Sequence, residues 1–207
     1  IFAAASGTVD VDNSLGAVSA SGMQFASDGY TITGDDLTLV GPESTIRVGD
    51  GTALGLGYTA TIEAALIGNT QLVKADLGTL VLSGTNTYTG GTRVDAGTLR
   101  VSSDANLGAA AGGLGFNGGT LNTTADITTS RAVDLGGAGT LLIDAGTTLT
   151  LGGAITGAGA LTKAGTGTLV LAGTGGHGGG TTVSAGTLFV NGDLSGATGL
   201  TQVNGGA

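Results

Sequence analysis

Short runs of alternating apolar and polar residues fill the chain, and six of them begin with the tripeptide Gly-Thr-Leu. These starts lie 19, 22, 20, 28 and 19 residues apart, at Gly78, Gly97, Gly119, Gly139, Gly167 and Gly186. Side chains along a strand point alternately to opposite faces, so such a run can present one face to a core and the other to solvent. The pattern predicts short β-strands, each opened by a glycine turn.

A longer repeat contains the shorter one. Residues 72–101 recur without a gap at 161–190, and 19 of the 30 aligned positions are identical. A period of about 20 residues, with several β-prone runs and glycine turns in each period, indicates one coil of a parallel β-solenoid. We expect roughly 10 coils that stack at about 4.8 Å each, which gives a rod of about 50 Å.

The predicted fold class is therefore all-β: a right-handed parallel β-helix (β-solenoid) with about 20 residues per coil, forming a single elongated rod. We expect one unit over 1–207, with degenerate coils over 1–59 and clear repeats over 60–207. The composition agrees, because the 44 glycines can supply sharp turns and there is only one proline to interrupt a strand.

Individual strands and core positions follow from the repeat. We predict strands at 7–11, 29–33, 37–40 and 58–62, and one further strand at 146–151 within the long interval. Equivalent positions of the two copies, among them Val94 and Val183, should occupy equivalent places in their coils. The leucine pairs should both be buried: Leu80 with Leu169 and Leu99 with Leu188.

The charge and the lack of cysteine exclude several classes of function. A formal net charge of −9 makes nucleic acid and anionic membranes poor partners. The absence of cysteine excludes disulfides, thiolate metal sites and cysteine nucleophiles. No apolar run of about 18 residues predicts a membrane-spanning helix. No signal peptide is recognisable after Ile1, so we expect a mature form or an excised fragment.

The repeat also carries a family resemblance. Its motif begins Leu-x-Lys-x-x-x-Gly-Thr-Leu and resembles the passenger-associated transport repeat of bacterial autotransporters, type V secreted proteins whose passengers are β-helices. The resemblance covers about 60–207 well and 1–59 loosely. It implies a passenger at the surface of a Gram-negative bacterium, outer membrane-anchored or secreted, with a membrane barrel beyond this C-terminus. The second copy departs at its turn, where Gly175, His177 and Gly178 replace Asn86, Tyr88 and Thr89.

Two carboxylates and the single histidine are the strongest candidates for catalysis. Asp35 and Asp36, together with a Gly-His-Gly around His177, resemble the pattern of polygalacturonases, which are β-helix enzymes with an aspartate pair. However, His177 follows Asp36 by about seven coils, or roughly 30 Å along the rod, too far for shared acid–base chemistry. Ser184 lacks the context of a triad nucleophile. We therefore predict no catalytic residue, with His177 and Asp35 as solvated loop residues whose replacement leaves function unchanged.

Other motifs are weaker. Turn aspartates at 28, 35, 36 and 50 lack the nonapeptide period of Ca²⁺-binding β-rolls, although a surface carboxylate pair could hold an adventitious ion. Residues 113–118 match Gly-x-Gly-x-x-Gly, but a strand start follows them where a dinucleotide site needs a helix. We interpret the sequon at 122–124 as accidental, since eukaryotic N-glycosylation is not implied. We predict no metal-binding and no cofactor-binding residue.

The surface carries the remaining functional hypotheses. Threonines and asparagines at equivalent turns should stack into ladders. Three roles are open for these ladders: hydrogen bonds to a like surface on another molecule, hydrogen bonds to sugar hydroxyls, or hydrogen bonds only to neighbouring coils of the same chain. Neither end of the chain shows a capping helix, and exposed coil edges invite pairing. We expect a non-catalytic stalk and adhesive surface that acts by self-association or on host or matrix glycans. The alternatives are a carbohydrate-active β-helix enzyme and a passive scaffold for a catalytic domain elsewhere in the full protein.

Overall fold

The computed structural model describes residues 1–199 and 201–203, and this part of the chain is built almost entirely of short strands. Helical backbone in it is confined to two 3-10 turns, Ala53–Gly57 and Asp104–Leu107, neither of which could cross a membrane. The strands are, in chain order, β1 (Thr8–Val11), β2 (Ser19–Ala20), β3 (Gly22–Phe25), β4 (Tyr30–Gly34), β5 (Leu37–Leu39), β6 (Glu43–Val48), β7 (Thr59–Ile62), β8 (Leu66–Gly68), β9 (Gln71–Ala75), β10 (Thr79–Leu82), β11 (Thr92–Val94), β12 (Thr98–Val101), β13 (Leu114–Phe116), β14 (Thr120–Thr123), β15 (Ile127–Thr129), β16 (Val133–Leu135), β17 (Gly139–Ile143), β18 (Thr148–Leu151), β19 (Ile155–Thr156), β20 (Leu161–Ala164), β21 (Thr168–Leu171), β22 (Thr181–Val183), β23 (Thr187–Val190) and β24 (Thr201–Val203).

The strands stack into parallel sheets that run along a common axis. A ten-stranded sheet has the order β1-β4-β7-β10-β12-β14-β17-β20-β22-β24, and a seven-stranded sheet has the order β19-β16-β13-β11-β9-β6-β3. A four-stranded sheet, β15-β18-β21-β23, and a three-stranded sheet, β2-β5-β8, complete the wall. The result is a β-solenoid of about 9 turns with about 22 residues per turn. The predicted fold is confirmed, whereas its right-handed sense stays a prediction.

The core is a narrow apolar column between the sheets. Alternate residues of each strand point inward, so equivalent leucines lie directly above one another, as Leu80 does with Leu99 and Leu121. The turns are tight. Gly97 has φ +64°, and a Cβ there would lie 2.4 Å from the carbonyl oxygen of Asp76. Gly186, its counterpart in the second copy, has φ +70°, and its Cβ would come equally close to the carbonyl of Gly167. These two glycines of the Gly-Thr-Leu pattern are therefore steric requirements.

The two copies of the long repeat lie on different faces of the solenoid, which corrects the expectation that they are equivalent. In copy 72–101, β9 and β11 belong to the seven-stranded sheet, while β10 and β12 belong to the ten-stranded sheet. In copy 161–190, β20 and β22 belong to the ten-stranded sheet, while β21 and β23 belong to the four-stranded sheet. Leu80 and Leu169 are thus both buried but on different faces.

The long Gly139–Gly167 interval causes this change of face. Thr140 pairs with Thr162, which closes one complete coil, and the next Gly-Thr-Leu strand starts one face later at Thr168. The strand predicted at 146–151 exists as β18, and it pairs with β21. The interval between the two Gly-Thr-Leu starts is therefore longer than one coil by the length of one additional strand and turn.

One core prediction is wrong. Leu188 is only partly buried, although its counterpart Leu99 is fully buried. Leu188 pairs with Leu169 on one side, but β23 is the last strand of the four-stranded sheet and no described strand covers its other side. Val190, which is in register with buried Leu171, is exposed for the same reason, whereas Phe189 is exposed because it points outward beside Val170.

Candidate functional site

The structure does not bring the candidate catalytic residues together. Asp35 and Asp36 lie exposed in the turn after β4, where the Asp35 carboxylate accepts a hydrogen bond of 2.9 Å from the backbone of Asn13. His177 precedes β22, which is seven strands beyond β4 in the ten-stranded sheet. Seven strand spacings amount to about 34 Å, so no single substrate group could contact both.

His177 is not a solvated loop residue, which corrects the sequence prediction. Its side chain is fully buried, and Nε2 lies 2.9 Å from the hydroxyl of Thr181. Nδ1 has no hydrogen-bond partner among the described residues, and burial lowers the pKa of His177 below its usual value. The ring is therefore neutral at neutral pH and has a structural role. Replacing His177 should therefore lower the stability of the fold, whereas the prediction that its replacement leaves function unchanged stays a prediction.

Tyr88 explains why this turn position points inward. The corresponding residue of the first copy is also fully buried, with its hydroxyl 2.7 Å from that of Thr92. Thr92 in turn donates to the carbonyl oxygen of Leu107 in the next coil. Burial raises the pKa of Tyr88, so the phenol stays protonated. The alignment of His177 with Tyr88 was visible in the sequence, but the inward direction of both side chains was not.

Two lysines that sequence reasoning passed over are buried at equivalent places. Lys74 donates to the carbonyls of Ala75, Asp76 and Ala96 at 2.9, 2.7 and 3.0 Å. Burial lowers the pKa of Lys74 to about 8, against the opposing charge of Asp76. Each ammonium joins the turn of its own coil to the turn of the next coil.

The second lysine repeats this arrangement in the other copy. Lys163 donates to the carbonyls of Ala164, Gly165 and Ala185 at 2.8, 2.7 and 3.1 Å. The signal available in the sequence was a lysine retained at the same place in both copies, in a chain that has only six lysines and arginines in total.

Further buried polar groups tie neighbouring coils together. Asn86 donates to the carbonyl of Asn106 at 2.6 Å, and Asn106 donates to the carbonyl of Gly84 at 3.0 Å. Arg131 is buried and forms a salt bridge of 2.8 Å with Asp104. For these asparagines, the interpretation that polar ladders only satisfy adjacent coils is correct.

A threonine ladder does lie on the surface, but on strands and not at turns as the sequence suggested. Seven threonines of the ten-stranded sheet stack in unbroken register, one per coil, and each is half-buried. None of their hydroxyls hydrogen-bonds to another described residue, whereas the hydroxyls of Thr33 and Thr92 do. The ladder consists of Thr59, Thr79, Thr98, Thr120, Thr140, Thr162 and Thr182.

The ladder belongs to a nearly uncharged surface, which we call the threonine face. It comprises the outward residues of β7, β10, β12, β14, β17, β20 and β22. The residues beside the ladder are, in register, Thr61, Val81, Arg100, Asn122, Leu142 and Ala164. Arg100 is the one charged residue among them, and it donates to Asn122 at 2.8 Å. The acidic groups of the chain therefore lie mainly elsewhere.

The weaker motifs have ordinary structural roles. Asp28 and Asp50 accept backbone hydrogen bonds from Thr59 and Thr52 at 2.7 and 2.9 Å. Three or more metal-ligating side chains do not converge anywhere in residues 1–199 and 201–203. The stretch 113–118 contains β13 and leads into another strand, β14. Asn122 is buried, with its amide bonded to Leu142 and Asp144. Ser184 is exposed beyond the end of β22.

Comparison with known proteins agrees with the repeat architecture. The passenger-associated transport repeat family matches residues 72–101 and 161–190, the two copies identified above. The chain is 63% identical over 111 residues to the adhesin BmaC autotransporter of Brucella suis biovar 1 (strain 1330). That match covers 54% of this chain but only 3% of the relative. No solved structure matches the chain.

Proposed function

We propose that this chain, a stretch of autotransporter passenger that carries two passenger-associated transport repeats, is a rigid, non-catalytic segment of a bacterial surface adhesin and adheres through its threonine face. The relative's name supports an adhesive role at the outer surface of a Gram-negative cell. Because the chain spans 3% of that relative, the role of the whole protein is part of this proposal.

The unbonded threonine ladder carries the proposal. Seven hydroxyls form one row with the spacing of the coils, about 4.8 Å, so the row is about 29 Å long. A hydroxyl both donates and accepts hydrogen bonds, and its position adjusts by rotation. Buried polar groups such as those of Lys74, Asn86 and Arg131 hydrogen-bond within the protein, whereas these half-buried hydroxyls are left for solvent or for a partner.

A second copy of the chain is the partner that fits this face best. Identical rows of hydroxyls are self-complementary, because each group can donate to one neighbour and accept from another. The contact would also bring together a surface on which Arg100 is the one charged residue beside the ladder, in a chain whose net charge is −9. Two copies can meet antiparallel, related by a twofold axis that passes through Thr120. Both Arg100 side chains then lie in the contact, but they do not face each other, because the axis places them at different heights along the rod.

The size of the face predicts a weak contact. Strands of four residues are about 13 Å wide, so the row covers about 400 Å² per partner. A stable dimer needs about 800 Å² per partner. One segment should therefore associate only at high micromolar to millimolar concentration, and long passengers on a crowded surface would gain from repeated contacts.

Sedimentation velocity at rising protein concentration tests this proposal. We expect reversible association that becomes tighter in added salt, because salt screens repulsion between acidic rods within about 8–10 Å. The double variant Thr120→Lys/Thr140→Lys should stay monomeric. Thr150→Lys is the matched control, since Thr150 is an equally half-buried outward threonine in the four-stranded sheet. A wild-type chain that remains monomeric in both salt conditions, or association that survives the double variant, would refute the role of this face.

A further inference from the structure

A groove of about 320 Å³ crosses the seven-stranded sheet, on a different side of the solenoid from the threonine face. It forms where a glycine interrupts a column of outward side chains. Arg93, Gly115 and Asp134 are neighbours in register on β11, β13 and β16. Because Gly115 has no side chain, the gap between Arg93 and Asp134 spans two strand spacings, or about 10 Å.

Arg93 forms one wall but is held by protein partners. Its guanidinium forms salt bridges of 2.8 Å with Glu43 and with Asp95, and it donates a hydrogen bond of 2.9 Å to the side-chain oxygen of Gln71. These hydrogen bonds, the one with Asp95 foremost, raise the pKa of Arg93. The aliphatic part of the Arg93 side chain lies beside Gly115, which forms the floor of the groove. A Cβ on Gly115 would sit 3.2 Å from Cγ of Arg93. The wall is therefore a fixed, partly apolar surface.

Two polar groups of the groove are left without protein partners. The Gln71 oxygen accepts from Arg93, which orients the side chain, and the Gln71 amide N–H groups donate to no residue in the described part of the chain. The carboxylate of Asp134 is exposed and neither hydrogen-bonds nor forms a salt bridge with any described residue. A donor and an acceptor thus line one cleft, over a floor of bare backbone.

We propose that this groove binds a single neutral sugar unit of a glycan. A carboxylate can accept hydrogen bonds from two neighbouring sugar hydroxyls, while the Gln71 amide donates to a sugar oxygen. The cleft is of the size at which small-ligand pockets begin, about 300 Å³. Around it, one arginine faces the carboxylates of Glu43, Asp95 and Asp134, so the excess negative charge disfavours acidic sugars. This site is independent of self-association through the threonine face.

Saturation-transfer NMR with defined sugars tests the site. The probes are methyl α-D-mannopyranoside and methyl β-D-galactopyranoside as neutral sugars, and N-acetylneuraminic acid as the acidic sugar. We expect transfer to at least one neutral glycoside and none to the acidic sugar. Asp134→Asn should weaken the affinity at least about tenfold, the cost of losing one charged hydrogen bond. Glu63→Gln, which changes an exposed carboxylate away from the groove, should leave it unchanged.

Gly115→Thr provides a second test, because its side chain would fill the floor of the groove. The new Cβ meets only the flexible stem of Arg93, and threonine suits a strand, so the coil should still form. We expect this variant to lose sugar binding while keeping the urea midpoint and the self-association of the wild type. Binding that is unchanged in both Gly115→Thr and Asp134→Asn, binding of the acidic sugar alone, or no transfer from either neutral glycoside would overturn the proposal.

Discussion

The two copies of the long repeat use nearly the same sequence in different settings. Copy 72–101 lies in the middle of the solenoid, with strands above and below it, and spans the seven- and ten-stranded sheets. Copy 161–190 spans the ten- and four-stranded sheets, and its final strand β23 ends a sheet. The same repeat sequence therefore forms its strands on two different pairs of adjacent faces.

The residues that stay the same and those that change follow the contacts each one makes. The buried lysine is kept in both copies, since three carbonyls depend on it in each. The inward aromatic position is Tyr88 in one copy and His177 in the other, and both keep a hydrogen bond to a threonine four residues later. Arg93 and Thr182 occupy the same aligned position in the two copies, and this position points outward. The residue there differs between the copies because no core residue packs against it.

The largest expected effect separates the two settings. Leu99→Asp should cost at least about 4 kcal/mol of unfolding free energy, because a charge with no partner would be buried between Leu80 and Leu121. Leu188→Asp should cost less than about half of that, since Leu188 is partly exposed beside the end of its sheet. Urea unfolding followed by circular dichroism measures both. Equal losses would show that the two coils are equally enclosed.

The lysines should behave alike in both copies. Lys74→Met and Lys163→Met each remove the donor of three carbonyls, and we expect each to lower the unfolding free energy by about 2–4 kcal/mol. The two sites are about four coils apart, so the double variant should show the sum of the single effects. Chemical denaturation tests this, with Lys74→Arg as a control that keeps the charge but not the compact shape. A loss in one copy only would break the equivalence.

The hydroxyl of Tyr88 offers a smaller effect. Tyr88→Phe keeps the buried ring but removes the hydrogen bond to Thr92, and should cost about 1 kcal/mol. Thr92→Val should cost more, because it also removes the hydrogen bond from Thr92 to the carbonyl of Leu107, and the double variant should cost little more than Thr92→Val alone. Additive losses would mean that the two groups act separately.

Acid should weaken the second copy selectively. Burial lowers the pKa of His177 in the folded chain, so the unfolded chain, with an ordinary histidine pKa of about 6.5, binds its proton first. The stability that neutral His177 provides is complete above that pH and declines as the pH falls below it. The urea midpoint of wild type should fall between pH 7.5 and pH 5 by more than that of His177→Leu. Parallel pH profiles would remove this role of His177.

Much of the fold was predictable from the sequence. The strands at 7–11, 29–33, 37–40, 58–62 and 146–151 all exist within a residue or two at each end, because alternation and glycine turns act locally. The family resemblance was also visible, since its motif is a continuous string. The burial of Lys74, Lys163 and Arg131 was not predicted, because a long cationic side chain reaches partners that only the turn of the next coil supplies.

The sequence by itself determined that this chain forms strands, turns at glycines and stacks its coils, since these properties depend on the residues within one period. Only the tertiary structure decided which face each strand occupies, because coil length varies by a few residues and the face depends on the sum of all preceding coils. That sum placed seven threonines from different sequence contexts in one row. It also turned His177 inward and left Gly115 between Arg93 and Asp134.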